Sequence, residues 1–179
     1  MQALELNDKI FYPDDETAAM TFVVDCMLGK LAKWLKILGF DAVYSSRAGD
    51  DELLRLAQKE GRALLTRDTG LAAKARGLKC LLLRSQRWQD QVSEVLDDFN
   101  LRGEVVPFSR CLACNAGLKP IPKTSAKNLV APFVYEYAGG FSICPSCGRV
   151  YWPGTHFHDM ESRLKDIIGE KDTGKKGAL

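Results

Sequence analysis

A chain of 179 residues, 46% apolar and 27% charged, can bury one sizeable core with a small appendage. No apolar run approaches the roughly 18 residues of a membrane helix. The N-terminal "MQALELNDKIFYPDDET" has neither the basic head nor the apolar stretch of a secretory signal, so a cytoplasmic protein without a membrane partner is expected. The net charge of +2 is uneven: residues 1–20 hold one lysine against Glu5, Asp8, Asp14, Asp15 and Glu16, net −4, which leaves +6 on residues 21–179. A basic body leans towards a polyanion such as nucleic acid, although an ordinary solvated surface is the commoner meaning of so small an excess.

Residues 1–20 show no sustained period and read as an N-terminal arm. "TFVVD" then reads as a strand, and "LGKLAKWLKILGF" places Leu28, Leu31, Ala32, Leu35 and Leu38 at helical spacing. Lys30, Lys33 and Lys36 fall on another side of that helix, and Gly39 is placed to end it. "DAVYS" predicts a second strand, "DDELLRLAQKEG" a helix with acids in its first turn, and "RALLT" a third strand. "GLAAKARG" follows as a short helix, "KCLLLR" as a fourth strand and "WQDQVSEVLDDFN" as another helix. Strands alternating with helices predict an α/β domain over residues 21–106, a parallel sheet flanked by helices on both faces.

After Asn100 the composition changes: six of the seven prolines and four cysteines lie beyond it. A loop-rich module is expected over 107–158, a closing helix over 159–168 from "HDMESRLKDIIG", and a disordered tail over 169–179. Within the module, Cys111 and Cys114 form one C-x2-C pair and Cys144 and Cys147 another, 29 residues apart. Two such turns facing each other close a tetrahedron of thiolates around Zn2+, and Gly148 supplies the positive φ that such a turn uses. Two disulfides, a redox-active pair and free thiols are the alternatives. A cytoplasmic chain disfavours the first, and a redox pair normally comes once, beside a thioredoxin-like pattern. Strands such as "FVYEY" and "FSICP" are expected between the pairs, as in a zinc ribbon. Four cysteine ligands leave no open position, so this zinc is structural. Cys26 and Cys80 read as packing residues.

In an open α/β sheet, ligands collect at the carboxyl ends of the strands. Asp25 ends "FVVD" and Asp68 follows "ALLT", which places both carboxylates on that rim; Asp50 or Asp51, starting the second helix, faces it too. Three carboxylates gathered there repel one another unless a cation is shared. Oxygen donors without histidine select Mg2+ or Mn2+, and such ions serve phosphodiester hydrolysis. Thr66 and Arg67 then lie in reach of a substrate phosphate. Taken singly, each acid has a plainer reading as a cap or turn residue, and Asp68 before Thr69 and Gly70 suits the cap of the next helix.

The segments "DCMLGKLAKWLKILGFDAVY", "DDELLRLAQKEGRALLTRD", "FSRCLACN" and "CPSCGRVYWPGTHF" make the chain resemble the Mut-seven C-terminal ribonuclease domain family, PIN-like nucleases with an appended zinc ribbon. The resemblance covers roughly residues 22–165. It implies a PIN-like sheet and a ribonuclease, with Asp25, Asp50 and Asp68 as the catalytic, metal-holding acids. The register of "EGRALLTRD" points to Asp50 rather than Asp51. PIN domains often have a fourth acid, for which Asp90 stands as a candidate beside its plainer reading as a solvated helix residue.

The remaining features are weaker. Arg84, Arg87 and Trp88 follow the fourth strand on the active rim and are candidates for substrate contact. Lys30, Lys33 and Trp34 suit a phosphate backbone with a stacked base, or simply a solvated helix face. His156 and His158 form an H-x-H pair without a carboxylate-rich neighbour, for which packing on the ribbon is the plainer role. The expectation is a metal-dependent ribonuclease acting on single-stranded or unpaired RNA. A non-catalytic RNA-binding module and a protein-docking adaptor are the alternatives.

Overall fold

The computed structural model describes residues 20–169. The expected arm therefore lies outside the described residues apart from Met20, and the expected tail apart from Gly169. Four short strands, β1 (Thr21–Val24), β2 (Asp41–Tyr44), β3 (Ala63–Thr66) and β4 (Cys80–Leu82), form a wholly parallel sheet in the order β2-β1-β3-β4. They are joined by α1 (Gly29–Ile37), α2 (Asp50–Glu60) and α3 (Thr69–Lys74), and α4 (Trp88–Asp98) follows β4.

Alternation along the strands divides the core in two. Phe22, Val24, Ala63 and Leu65 face the larger half with Leu31 and Leu35 of α1 and Val92, Val95 and Leu96 of α4. Val23 and Leu64 face the other half with Leu53 and Ala57 of α2 and Leu71 and Ala75 at α3. Every one of these side chains is buried. The chain moves from β1 outward to β2 and then returns to the far side of β1 for β3. The carboxyl ends of β1 and β3 are therefore neighbours at the point where the strand order reverses, the place where such sheets open a crevice for ligands.

The second module is a small antiparallel sheet of β5 (Lys119–Ile121), β6 (Phe141–Ile143) and β7 (Val150–Tyr151), with α5 (Lys123–Ala126) and α6 (Pro132–Tyr137) inserted between β5 and β6. The segment "FVYEY", expected as a strand, is most of α6. Pro132 starts that helix, and Val134 and Ala138, one turn apart, turn inward onto Ala126 and Phe141. Local β propensity is outweighed by this burial. The closing helix, α7 (Thr155–Gly169), begins earlier than expected and buries Leu164 and Ile167 in the larger core. Arg102 holds its end by donating to the carbonyls of Ile167 (3.0 Å) and Ile168 (3.4 Å).

The ribbon is joined to the amino edge of the parallel sheet. The backbone N–H of Val106 donates to Leu38 O and that of Phe108 to Ile37 O, at 3.0 and 2.7 Å. Gly39 takes φ +98°, and a side chain there would strike the Val106 carbonyl. Asp41, the first residue of β2, receives Arg62, Arg110 (3.4 Å) and the Asn115 amide (2.8 Å). The Asn115 carbonyl accepts Arg110 in turn at 2.8 Å, and its Oδ1 accepts the Ala42 N–H at 3.2 Å.

Candidate active site and metal centre

Asp25 leaves β1 with only 6% of its surface exposed. Its N–H continues the ladder to Leu65 O at 3.0 Å, so its position is set by the sheet itself. The wholly buried Thr66 donates its hydroxyl to Asp25 Oδ2 at 2.6 Å and accepts the Asp68 N–H at 2.9 Å. One threonine thus links the carboxyl ends of β1 and β3 and ties the two acids together. Asp68 Oδ1 accepts the N–H groups of Gly70 (2.6 Å) and Leu71 (3.0 Å), capping α3. The plainer reading of Asp68 is therefore present, and both cap bonds use the same carboxylate oxygen.

Asp50 stands at the first residue of α2, and its Oδ2 pairs with Lys74 Nζ at 2.8 Å. The hydrogen bond to Asp50, with the charges of Asp50, Asp51 and Asp68 adding to it, holds the Lys74 ammonium above the usual lysine range. Asp51 beside it is exposed. Arg67 is half-buried, and its Nε is a buried donor with no hydrogen-bond partner among the described residues.

Among the described residues, the one set of three or more potential ligands that lie within 4.8 Å of one another is Cys111, Cys114, Cys144 and Cys147. Asp25, Asp50 and Asp68 do not all close to that distance.

The cysteines form no disulfide. Cys111 and Cys147 sulfurs are 3.6 Å apart and those of Cys114 and Cys144 3.3 Å. Metal–sulfur bonds of about 2.3 Å in a tetrahedron place sulfurs about 3.8 Å apart, so the four fit a zinc-sized ion. Burial works to raise the Cys111 thiol, but the Cys114 backbone, the Tyr151 hydroxyl and the Ala113 backbone outweigh it and bring the pKa to about 6. The Tyr151 hydroxyl lies 3.1 Å from that sulfur, an outer partner that orients the ligand. Burial, with the Cys114 sulfur adding to it, pushes Cys144 up. Gly148 takes φ +72°, as its place after the second pair predicts.

A family model described as the Mut7-C RNAse domain matches residues 20–164. The chain belongs to the Mut7-C RNAse domain family. It is also 36% identical over 109 residues to the human protein named exonuclease mut-7 homolog, a match that spans 58% of this chain and 12% of the human one. No solved structure matches.

Around the acids of this Mut7-C domain, the other expected contacts divide. Lys30, Arg84 and Arg87 are exposed; Lys30 stands on the first turn of α1, and Arg84 and Arg87 follow β4. Arg87 lies 3.9 Å from Asp90, which is also exposed. Arg84 and Asp90 both line a groove of about 670 Å³ between β4 and α4. Trp34 does not present its ring to a ligand: it is buried and stacked on Trp88, centroids 4.5 Å apart and 10° from parallel. Nor do the three lysines of α1 form one solvated face. Lys30 and Lys33 are exposed, but Lys36 is buried towards Cys111, Cys114 and Asp41, and burial lowers its pKa. Cys26 is exposed rather than packed, and its thiol is held up chiefly by a hydrogen bond to Asp25. Cys80 is half-buried. His156 and His158 fall on the first turn of α7, and their side chains lie outside the described residues.

Three residues beside the candidate acids carry no signal in the sequence. Lys74 reads as the polar side of a short helix. Tyr44 ends β2 and donates its hydroxyl to Cys26 O at 2.9 Å, beside Asp25. Gly29 makes room for it, since a Cβ there would lie 2.7 Å from that hydroxyl.

Proposed function

We propose that this protein is a cytoplasmic, metal-dependent ribonuclease that hydrolyses phosphodiester bonds of single-stranded or unpaired RNA. The observation that carries the reading is the hydrogen-bonded run from Asp25 through Thr66 to Asp68 at the point where the strand order reverses. Asp25, Asp50 and Asp68 would hold Mg2+ or Mn2+, which supplies positive charge for the scissile phosphate and lowers the pKa of water. Cys111, Cys114, Cys144 and Cys147 would hold a structural zinc.

The protein's own groups do the positioning. Thr66 fixes the orientation of Asp25 from a buried position. The cap fixes Asp68 by one oxygen, Oδ1, and makes no use of the other. The unpartnered Nε of Arg67 is a donor for a phosphate oxygen, and Lys30, Arg84 and Arg87 extend positive charge along the same side. Lys74 holds Asp50 until substrate or cation competes for it.

The test is cleavage of an end-labelled RNA pool, beside a single-stranded DNA pool, with Mn2+ and without it. Cut RNA that appears only with the ion and disappears in Asp68→Asn is the expected result. RNA retained on the protein but never cut would replace the reading with a non-catalytic binding module, and no retention at low salt would leave a protein-docking adaptor.

A further inference from the structure

A ribbon of this kind needs only a turn between β5 and β6, because Ile121 and Phe141 are already paired neighbours on the two strands. The chain instead makes a detour through α5 and α6. One side of the detour is accounted for: Ala126, Ala138 and Phe141 are buried, with Val130 and Val134 packed against them. Another side of α6 carries Phe133 and Tyr137, one helical turn apart, and they are 71% and 69% exposed. Their rings lie against each other, centroids 4.7 Å apart and tilted by 41°. Scattered apolar residues on a surface are ordinary. Two aromatic rings on the solvent side of a six-residue helix, whose inward side is already satisfied, are not required by the fold.

The charge beside them is of one sign. Lys119, Lys123 and Lys127 are exposed, and Glu136 is the one acid between residues 117 and 140. Lys123 reaches across to α6, donating to Glu136 O at 2.9 Å and standing 5.5 Å from the centre of the Tyr135 ring. An ammonium has three donors, so two remain for a ligand. An apolar protein partner has no use for this excess of cations, whereas a strand of alternating bases and phosphates uses rings and cations together.

We propose that the α5–α6 insertion is a second contact surface for single-stranded nucleic acid, with Phe133 and Tyr137 stacking on bases and Lys123 and Lys127 neutralising phosphates. The inference rests on the nucleic-acid substrate of the reading above and not on hydrolysis. The ribbon is joined to the amino edge of the sheet, while the acids stand at the carboxyl edge.

The experiment measures polarisation of a fluorescein-labelled uridine 12-mer on the full chain carrying Asp68→Asn, without added divalent ion, at several salt concentrations. Phe133→Ala with Tyr137→Ala should weaken binding about 10- to 100-fold. The leucine pair at the same positions, which keeps apolar bulk but no planar ring, should weaken it too. Lys123→Ala with Lys127→Ala should flatten the slope of log affinity against log salt by about 1.4. Zinc content and melting temperature check that each variant is folded. Wild-type affinity in the alanine pair overturns the proposal. So does full affinity in the leucine pair, which would mean apolar docking, or light scattering in which the rings govern self-association and not RNA affinity. Tight binding that depends on the rings, with no cleavage in the metal-dependent assay, would end the ribonuclease reading and leave this surface standing.

Discussion

Thr66 is wholly buried although it is polar, and both roles of its hydroxyl are filled, one towards Asp25 and one from the Asp68 N–H. Thr66→Val keeps the shape and removes both bonds. A buried acceptor on Asp25 and the partly buried Asp68 N–H then lose their partner, at a cost of about 1–3 kcal/mol. Melting should fall accordingly, and RNA cleavage should fall much further because Asp25 loses its orientation. Thr66→Ser should restore most of both. A valine variant that cleaves as well as wild type would show that the bridge serves stability alone. At this scale the sequence is partly legible. The strand-end positions of Asp25 and Thr66 follow from the patterns "FVVD" and "ALLT" and the parallel sheet. The burial of Lys36 does not, because what covers it is a ribbon more than 70 residues further along the chain.

Among the elements, α3 depends most on a single residue. It has six residues, and its buried contacts are few, Leu71 with Ala75 just after it, so the Asp68 cap carries much of its stability. Asp68→Ala should cost about 1 kcal/mol, and Asp68→Asn a few tenths, because an amide oxygen accepts the same two N–H groups. Activity should follow the other order of importance, with both variants deeply impaired, since neither keeps the charge. Thermal melting beside an RNA cleavage assay separates cap from ligand, and an active asparagine variant would leave Asp68 as a cap only. The four strands and their helices are legible because each is short, local and periodic. The "FVYEY" segment is not, because Phe, Val and Tyr favour strands in isolation and only contacts with Ala126 and Phe141 make it a helix.

For the whole molecule, the four-cysteine cluster and the Asp41 cluster are the two features that tie the ribbon together and to the sheet. The ribbon has a small apolar core, so ligation should supply much of its folding free energy. About one zinc per chain is expected, and Cys144→Ser should lose it. Hydrogen exchange should then rise across residues 110–151 while β1 and β3 stay protected; an unchanged ribbon would refute the role of the metal. Asp41→Ala should cost about 2–4 kcal/mol, because it leaves Arg62 and Arg110 without their shared carboxylate, and it should loosen the ribbon without zinc loss.

That same cluster also sets an order in time. Asp41 and Arg62 belong to the part of the chain made first, whereas Arg110 and Asn115 follow Asp41 by 69 and 74 residues. At about 5–20 residues per second, the ribosome delivers them roughly 4–15 s later. Until they arrive, Arg62 is the arginine that pairs with Asp41, with the Lys36 charge nearby, and the amino edge of the young sheet stays uncovered. Arg62 is thus the temporary partner that keeps the carboxylate satisfied during synthesis. Its loss should depress the yield of folded protein from translation more than it depresses the stability of the finished molecule.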